Sequence, residues 1–460
     1  MKKNGYLSKN AWIAIFEYAG GIEMTEINKN EEHLEIQKLR QMLSAGSSAA
    51  LTVEEAARQL KEAGFEEVHF SDTWGLNQGG KYFMKHHATT LFAFTVGEKL
   101  QYRDSFRIAA AHTDYPCLRI KPNPDITGAG YQQANVEVYG GPILNTWLDR
   151  PLGISGRVAV RSDNLMRPDM RLVDIREPLM VIPNLAIHLN KEVNKGVELN
   201  RQTDMLPITA TIRKELEENV GFLDYLAKEL KVSEEDILDY ELWVTCLEQP
   251  QSVGIQKDLM VSPRLDNLTS VQALLSAIID GKRDSGFNLI ALFDHEEIGS
   301  RSKQGAASLM LLNVMEKICE SFGRNSMQTK EIIYDSMLIS ADVAQGTHPN
   351  HLGKMDVTTK PVLNGGFCIK EACSQSYATD CEAVAIVEQI CRTKEIPYQK
   401  FVNRSDLPGG GTLGAIVSSV IPIPTVDIGV PMLAMHSAVE TMGVEDQIGM
   451  TRFLTEFFSI

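Results

Sequence analysis

Four polar residues in a row, Asp294-His295-Glu296-Glu297, follow an apolar run at 289–293. The run is short enough for a buried strand rather than a helix. A buried strand that stops in adjacent carboxylates puts negative charge at a sheet edge. In open α/β sheets, ligands bind outside the carboxyl ends of the strands. Neighbouring carboxylates repel unless a cation or a shared proton divides their roles. The helical zinc motif His-Glu-x-x-His is not completed, because Gly299 stands where the second His belongs. A metal held here must draw its other ligands from distant parts of the chain.

Three further apolar runs end in a ligand-type side chain: 108–111 before His112, 338–341 before Asp342, and 433–435 before His436. Asp266 follows Ser262-Pro-Arg-Leu265 and opens a helix, where it reads either as an N-cap or as a ligand. His112, Asp266, Glu297, Asp342 and His436 together offer two imidazoles and three carboxylates, a set that suits zinc. One carboxylate bridging two ions would leave each ion a carboxylate and a His.

These residues need elements to carry them. Residues 1–66 read as helical, at 11–18 and 31–43, and Thr52-Val-Glu-Glu55 is a capping-box pattern opening another helix. Strands are expected within 82–95 and at 105–111. From 121 to 251, short alternating segments are separated by Gly, Pro and Asp, the texture of a β-rich domain. It contains Leu185-Ala-Ile-His188, read as a strand end, a helix at 223–230, and Ser233 as the cap of a further helix. After Pro263 the α/β rhythm sets in: helix 267–280, strand 289–293, helix 306–322, strand 337–341, helix 381–393, strand 398–402, then a glycine loop at 407–414. The expected fold class is α/β: a domain at 1–120 and 252–460 with a doubly wound sheet, interrupted by a β-rich insertion at 121–251.

Composition narrows the function. The chain has 460 residues, 43% of them hydrophobic, and a net charge of −15. That balance argues against nucleic-acid binding, which needs a basic face. No apolar run is long enough for a membrane span, and the N-terminal residues do not read as a signal peptide. The seven cysteines are an odd number with no Cys-x-x-Cys, which suggests reduced thiols in a cytoplasmic protein.

Five blocks carry a family resemblance: His112-Thr-Asp-Tyr-Pro-Cys-Leu-Arg-Ile-Lys-Pro122, Pro263-Arg-Leu-Asp-Asn267, Asp294-His-Glu-Glu-Ile-Gly-Ser300, Ser340-Ala-Asp342 with Thr347-His-Pro-Asn350, and Met435-His-Ser-Ala-Val-Glu440. In this order, across nearly the whole chain, they resemble the aspartyl aminopeptidase/aminopeptidase I family of dizinc exopeptidases. The resemblance implies a zinc-exopeptidase-like fold and two zinc ions, with cobalt or manganese as substitutes. It implies that His112, Glu297, Asp342 and His436 divide between the ions, that Asp266 bridges them, and that Asp114 orients His112. Glu296, free of ligation, is then the general base that moves a water proton to the leaving amine. It further implies a substrate contact by His348. The glycine loop of Gly410 and Thr412 is read from its residues alone. That loop lacks the Lys of a phosphate-binding loop and reads as a close backbone approach to substrate.

Aspartyl-selective members carry a basic residue in the stretch matching 370–377. The matching position here is read as Ser374, with Lys370 four residues away. This favours broad or neutral selectivity, with an Asp/Glu-selective enzyme as the alternative. A metal-dependent deacylase or carboxypeptidase on the same site, and a scaffold that has lost the chemistry, are the other readings. By resemblance the insertion drives assembly into a large homo-oligomer, a dodecamer. His188, otherwise a structural histidine, would then reach a neighbour's active site.

Overall fold

The computed structural model describes residues 26–102, 104–212, 221–407 and 409–460. The helix expected at 11–18 lies outside them. A nine-stranded mixed sheet runs in the order Glu66–Glu67, Lys81–His86, Thr90–Val96, Phe287–Phe293, Phe106–His112, Met337–Ala341, Thr425–Gly429, Phe367–Glu371, Tyr398–Val402. Its centre, Phe287–Phe293 through Thr425–Gly429, is parallel. Parallel strands are covered on both faces and therefore read as continuous apolar runs. Alternation then divides each strand between two cores. In Phe287–Phe293, Leu289, Ala291 and Phe293 enter one core with the helix Met310–Ser321, while Ile290 and Leu292 enter the other with the helices Leu265–Asp280 and Val444–Phe457.

A second, six-stranded sheet is built from segments between Cys117 and Cys246 and is wholly antiparallel. Its first strand, Cys117–Gly128, starts before the boundary expected at 121 and leaves directly from the Asp114 turn. A third sheet pairs five strands of two to four residues: Gln251–Val253, Leu259–Ser262, Glu440–Gly443, Pro431–Leu433 and Ala344–Gln345. Strands this short leave no periodic signal, and the sequence reading contains no such sheet.

Three local expectations need correction. The helix Ala49–Glu62 starts after Ser48, so Thr52 lies inside it and caps nothing. Ser233 leads only a single 3-10 turn, Glu234–Asp236, which passes straight into the strand Ile237–Cys246. His188 stands in an exposed turn, not at a strand end. Leu185, Ile187 and Leu189 alternate as in a strand, but among the described residues no strand pairs with them, and all three are exposed.

Candidate dinuclear metal site

The parallel strands deliver the site. Register pairs Phe293 with His112, so Phe106–His112 and Phe287–Phe293 end side by side, and Met337–Ala341 stops beside them at Asp342. After Phe293, Asp294 Oδ1 accepts the His295 N–H at 2.8 Å and Asp294 N–H donates to the Gln304 carbonyl at 3.2 Å. These bonds turn the chain and leave Glu296 and Glu297 facing the strand ends. Their N–H groups donate to the Asp114 carboxylate at 3.1 and 3.2 Å. The turns just before Asp266 and Glu296, and at His436, place Arg264, His295 and His436 at φ 62°, 64° and 66°. Non-glycine residues adopt such conformations only where their surroundings hold them.

Asp266 lies buried at the start of the helix Leu265–Asp280, and its side chain caps nothing. Its Oδ1 is 3.3 Å from His112 Nε2, and its Oδ2 is 3.4 Å from His436 Nε2. Asp342 Oδ1 stands 3.6 Å from His112 Nε2, and Glu297 Oε2 stands 3.6 Å from His436 Nε2. The donor atoms of His112, Asp266 and Asp342 all lie within 4.8 Å of one another, as do those of Asp266, Glu297 and His436. Two donor groups therefore share one carboxylate. His112, Glu296 and Glu297 form a third group of the same size.

Two observations test whether a metal fits. Asp266 Oδ1 is buried without a hydrogen-bond partner, so its distance to His112 is not a hydrogen bond already made. Buried polar atoms are rarely left that way. Each imidazole also has its Nδ1 on a backbone carbonyl, His112 on Asp114 at 3.0 Å and His436 on Gly141 at 3.1 Å. A neutral ring donating from Nδ1 turns its Nε2 lone pair toward the carboxylates, as a metal-ligating His requires. The donors fit a borderline dication such as zinc.

Electrostatics agree. Burial pushes Glu296 up to about 8, with His112 opposing and Asp342 adding. Glu297 is raised well above its ordinary value by burial and by Asp266. Burial also raises Glu440 to about 8 and Asp294 to about 6. For each, the folded chain holds a proton more tightly than the unfolded chain. That stability is fully present below the ordinary carboxylate value and is lost as pH rises through 6 to 8. A dication favours the charged forms and reverses the trend. The melting temperature in chelator is therefore expected to fall between about pH 5 and about pH 9, and the gain on adding zinc to grow over that range. A zinc-induced gain that shrinks with pH would contradict this account.

Glu440, not singled out from the sequence, accepts the N–H of Asp266 at 3.0 Å and of His436 at 2.7 Å. It was visible only as the last residue of the 435–440 block. Asp342 can lie close to the strand Thr425–Gly429 because Gly429 has no Cβ, which would collide with the Asp342 carbonyl. The five donor residues line a cavity of about 420 Å³, which is also bordered by Glu296, Gln345, Lys370, Tyr377, Phe401 and Gly410. A Cβ on Gly410 would meet nothing within 4 Å, so this backbone faces open space. Thr412 is buried with its hydroxyl donating to Asp427 at 2.6 Å. His348 is exposed against His351, at 4.8 Å between ring centroids, and Gln345 rather than His348 borders the cavity. Ser374 is exposed and bonds Ser376. Lys370 is buried, donates to the Val343 carbonyl at 2.8 Å and lies 3.6 Å from Asp342. His188 does not border this cavity.

The family model for the aminopeptidase I zinc metalloprotease family (M18) matches residues 42–458. The chain belongs to the M18 family of zinc aminopeptidases. It is a metalloenzyme that hydrolyses N-terminal residues from peptides. A probable M18 family aminopeptidase 2 of Clostridium novyi is 42% identical over 409 residues, 89% of this chain and 94% of that protein. Among solved structures, the chain in the cryo-EM complex of Ape4 and Nbr1 is 31% identical with a TM-score of 0.89, covering 95% of this chain and 87% of that one. The S. cerevisiae mApe1 dodecamer is 25% identical with a TM-score of 0.79, over 93% and 97% of the two chains. These matches also bear out the expected zinc-exopeptidase-like α/β fold. Among the described residues, no helix is long and apolar enough to cross a membrane.

Proposed function

We propose a dizinc aminopeptidase in which His112 and Asp342 would hold one ion, Glu297 and His436 would hold the other, and Asp266 would serve both. The observation that carries this reading is the pair of donor groups sharing Asp266. When bound, two such ions supply Lewis acidity and a water acidified toward neutral pH. Glu296 takes a proton at its carboxylate and delivers it to the leaving amine nitrogen. Asp114 keeps His112 in place and, through its two N–H acceptors, fixes both glutamates. Gly410 leaves room for the substrate backbone, with Thr412 and His348 on the flanking loops. Metal content by mass spectrometry, read beside amino-acid release from free and N-acetylated peptides, tests the whole. About two ions per chain and cleavage of free N-termini only are expected; equal cleavage of acetylated peptides would mean a deacylase.

The selectivity reading is broad or neutral, from Ser374. A second reading, preference for Asp or Glu, is favoured by the place of Lys370, a buried cation bordering the cavity. Burial works against its charge, but Asp342 and Tyr377 outweigh it and keep it raised. Against selection by Lys370, its ammonium already has Asp342 and the Val343 carbonyl as partners. Neutral N-terminal residues are therefore expected to match or exceed Asp and Glu in kcat/KM. A cation committed to substrate would instead favour acidic residues by about 3–5 kcal/mol. Such a preference, abolished in Lys370→Met, would establish the second reading.

We further read the chain as a homo-oligomer, up to a dodecamer, in the cytoplasm. Exposed Leu185, Ile187 and Leu189 support an interface around His188. The seven unpaired cysteines support a reducing compartment.

A further inference from the structure

We infer that Tyr139, from the antiparallel sheet, is a positioning residue for the metal site, acting through Asp114. The strand Tyr131–Tyr139 ends beside the site, and the Tyr139 hydroxyl donates to Asp114 Oδ2 at 2.7 Å. The same carboxylate accepts from Glu296 and Glu297 N–H and faces His112 Nδ1 at 3.4 Å. Asp114 is thus held from three directions: by the His112 strand, by the Glu296–Glu297 turn and by the second sheet. It is buried, where each lost donor leaves lone pairs unpaired and the carboxylate free to shift. Among the described residues, the phenol is the one side-chain hydroxyl among its partners.

The ring is itself fixed. Trp243 packs edge-on against it at 4.8 Å between centroids, and Arg119 lies 5.5 Å from the Trp243 ring on the same sheet. The donor is therefore presented by a rigid element. Gly141, two residues on, accepts from His436 Nδ1. One segment, 139–141, thereby supports a histidine of each donor group, directly for His436 and through Asp114 for His112. Loss of such an outer partner typically weakens metal affinity or activity about 10–100-fold.

Tyr139→Phe removes the hydroxyl and keeps the ring. The inference rests on the dizinc reading, so zinc affinity is measured on metal-free wild type and variant by competition with a chromophoric chelator, beside kcat and KM. Zinc binding about 10–100-fold weaker is expected, with kcat at saturating zinc reduced and KM unchanged. In an Asp114→Ala background, Tyr139→Phe should weaken zinc no further, since its effect runs through Asp114. Unchanged zinc affinity in Tyr139→Phe, or an additive loss in the double variant, overturns the inference. The double variant also decides the matter should Tyr139→Phe alone melt early. Wild type that binds no zinc would instead sink the dizinc reading itself.

Discussion

Glu296→Gln is expected to keep its metal and lose turnover by about 10²–10⁴-fold, the usual contribution of a general acid–base group. Glutamine preserves the shape of the side chain and removes its ability to carry the proton. The opposite result is expected for Glu297→Gln, where metal should be lost first. Adjacency makes the distinction worth testing. Glu296 and Glu297 both stand within 4.8 Å of His112 as possible donors, so distances alone leave either free to ligate. What separates them is the second group: only Glu297 also meets Asp266 and His436. Both glutamates line the cavity, and Glu296 does so outside that second group. Metal content and single-turnover hydrolysis of the two variants, measured side by side, decide it. Loss of zinc in Glu296→Gln with retention in Glu297→Gln would show the roles exchanged.

His188→Ala is expected to fold, assemble and bind zinc, yet to lose about 10²–10³-fold in rate, the typical effect of removing a donor to a developing oxyanion. Within its own chain the residue sits in an exposed turn and does not border the cavity at the donor cluster. The surrounding apolar side chains are the reason to look to a second copy. Leu189 is 74% exposed, and Leu185 and Ile187 more than half, in a segment whose strand-like alternation finds no partner strand among the described residues. If the histidine acts in a neighbour's site, oligomers mixed from His188→Ala and Glu296→Ala chains should regain activity. A His188→Ala subunit then keeps its own base and borrows the histidine. Mixed oligomers no more active than either parent would place His188 outside catalysis or inside its own chain.

Sequence by itself determined the parallel core and the donor inventory. Strands buried on both faces must be apolar throughout, so 289–293 and 337–341 stand out, and the polar residue ending each marks where the strand leaves the core. His112, Glu297 and Asp342 were legible for that reason. Asp266 and His436 were legible as residue types at an apolar-to-polar junction, but their junctions belong to other elements. Asp266 interrupts the first turn of a helix. His436 follows the strand Pro431–Leu433, through a left-handed turn at Ala434. What brings them to the strand ends is the small third sheet, whose segments lead into Asp266, out of Asp342, and to both sides of His436. Its strands are too short for any period to show, since pairing of two to four residues is held by the rest of the fold and not by local propensity. The supports that act through backbone atoms were equally hidden. Glu440 accepts the N–H groups of Asp266 and His436, Gly141 offers a carbonyl and Tyr139 reaches Asp114 from another sheet. No residue type announces such a role, because the partner is chosen by proximity in space. Tertiary structure also decided the cavity wall, moving attention from Ser374 to Lys370 and from His348 to Gln345. The strand Phe367–Glu371 is buried on both faces through Lys370, and alternation puts Lys370 on the face of Cys368, whereas Ser374 follows the strand's end and is exposed.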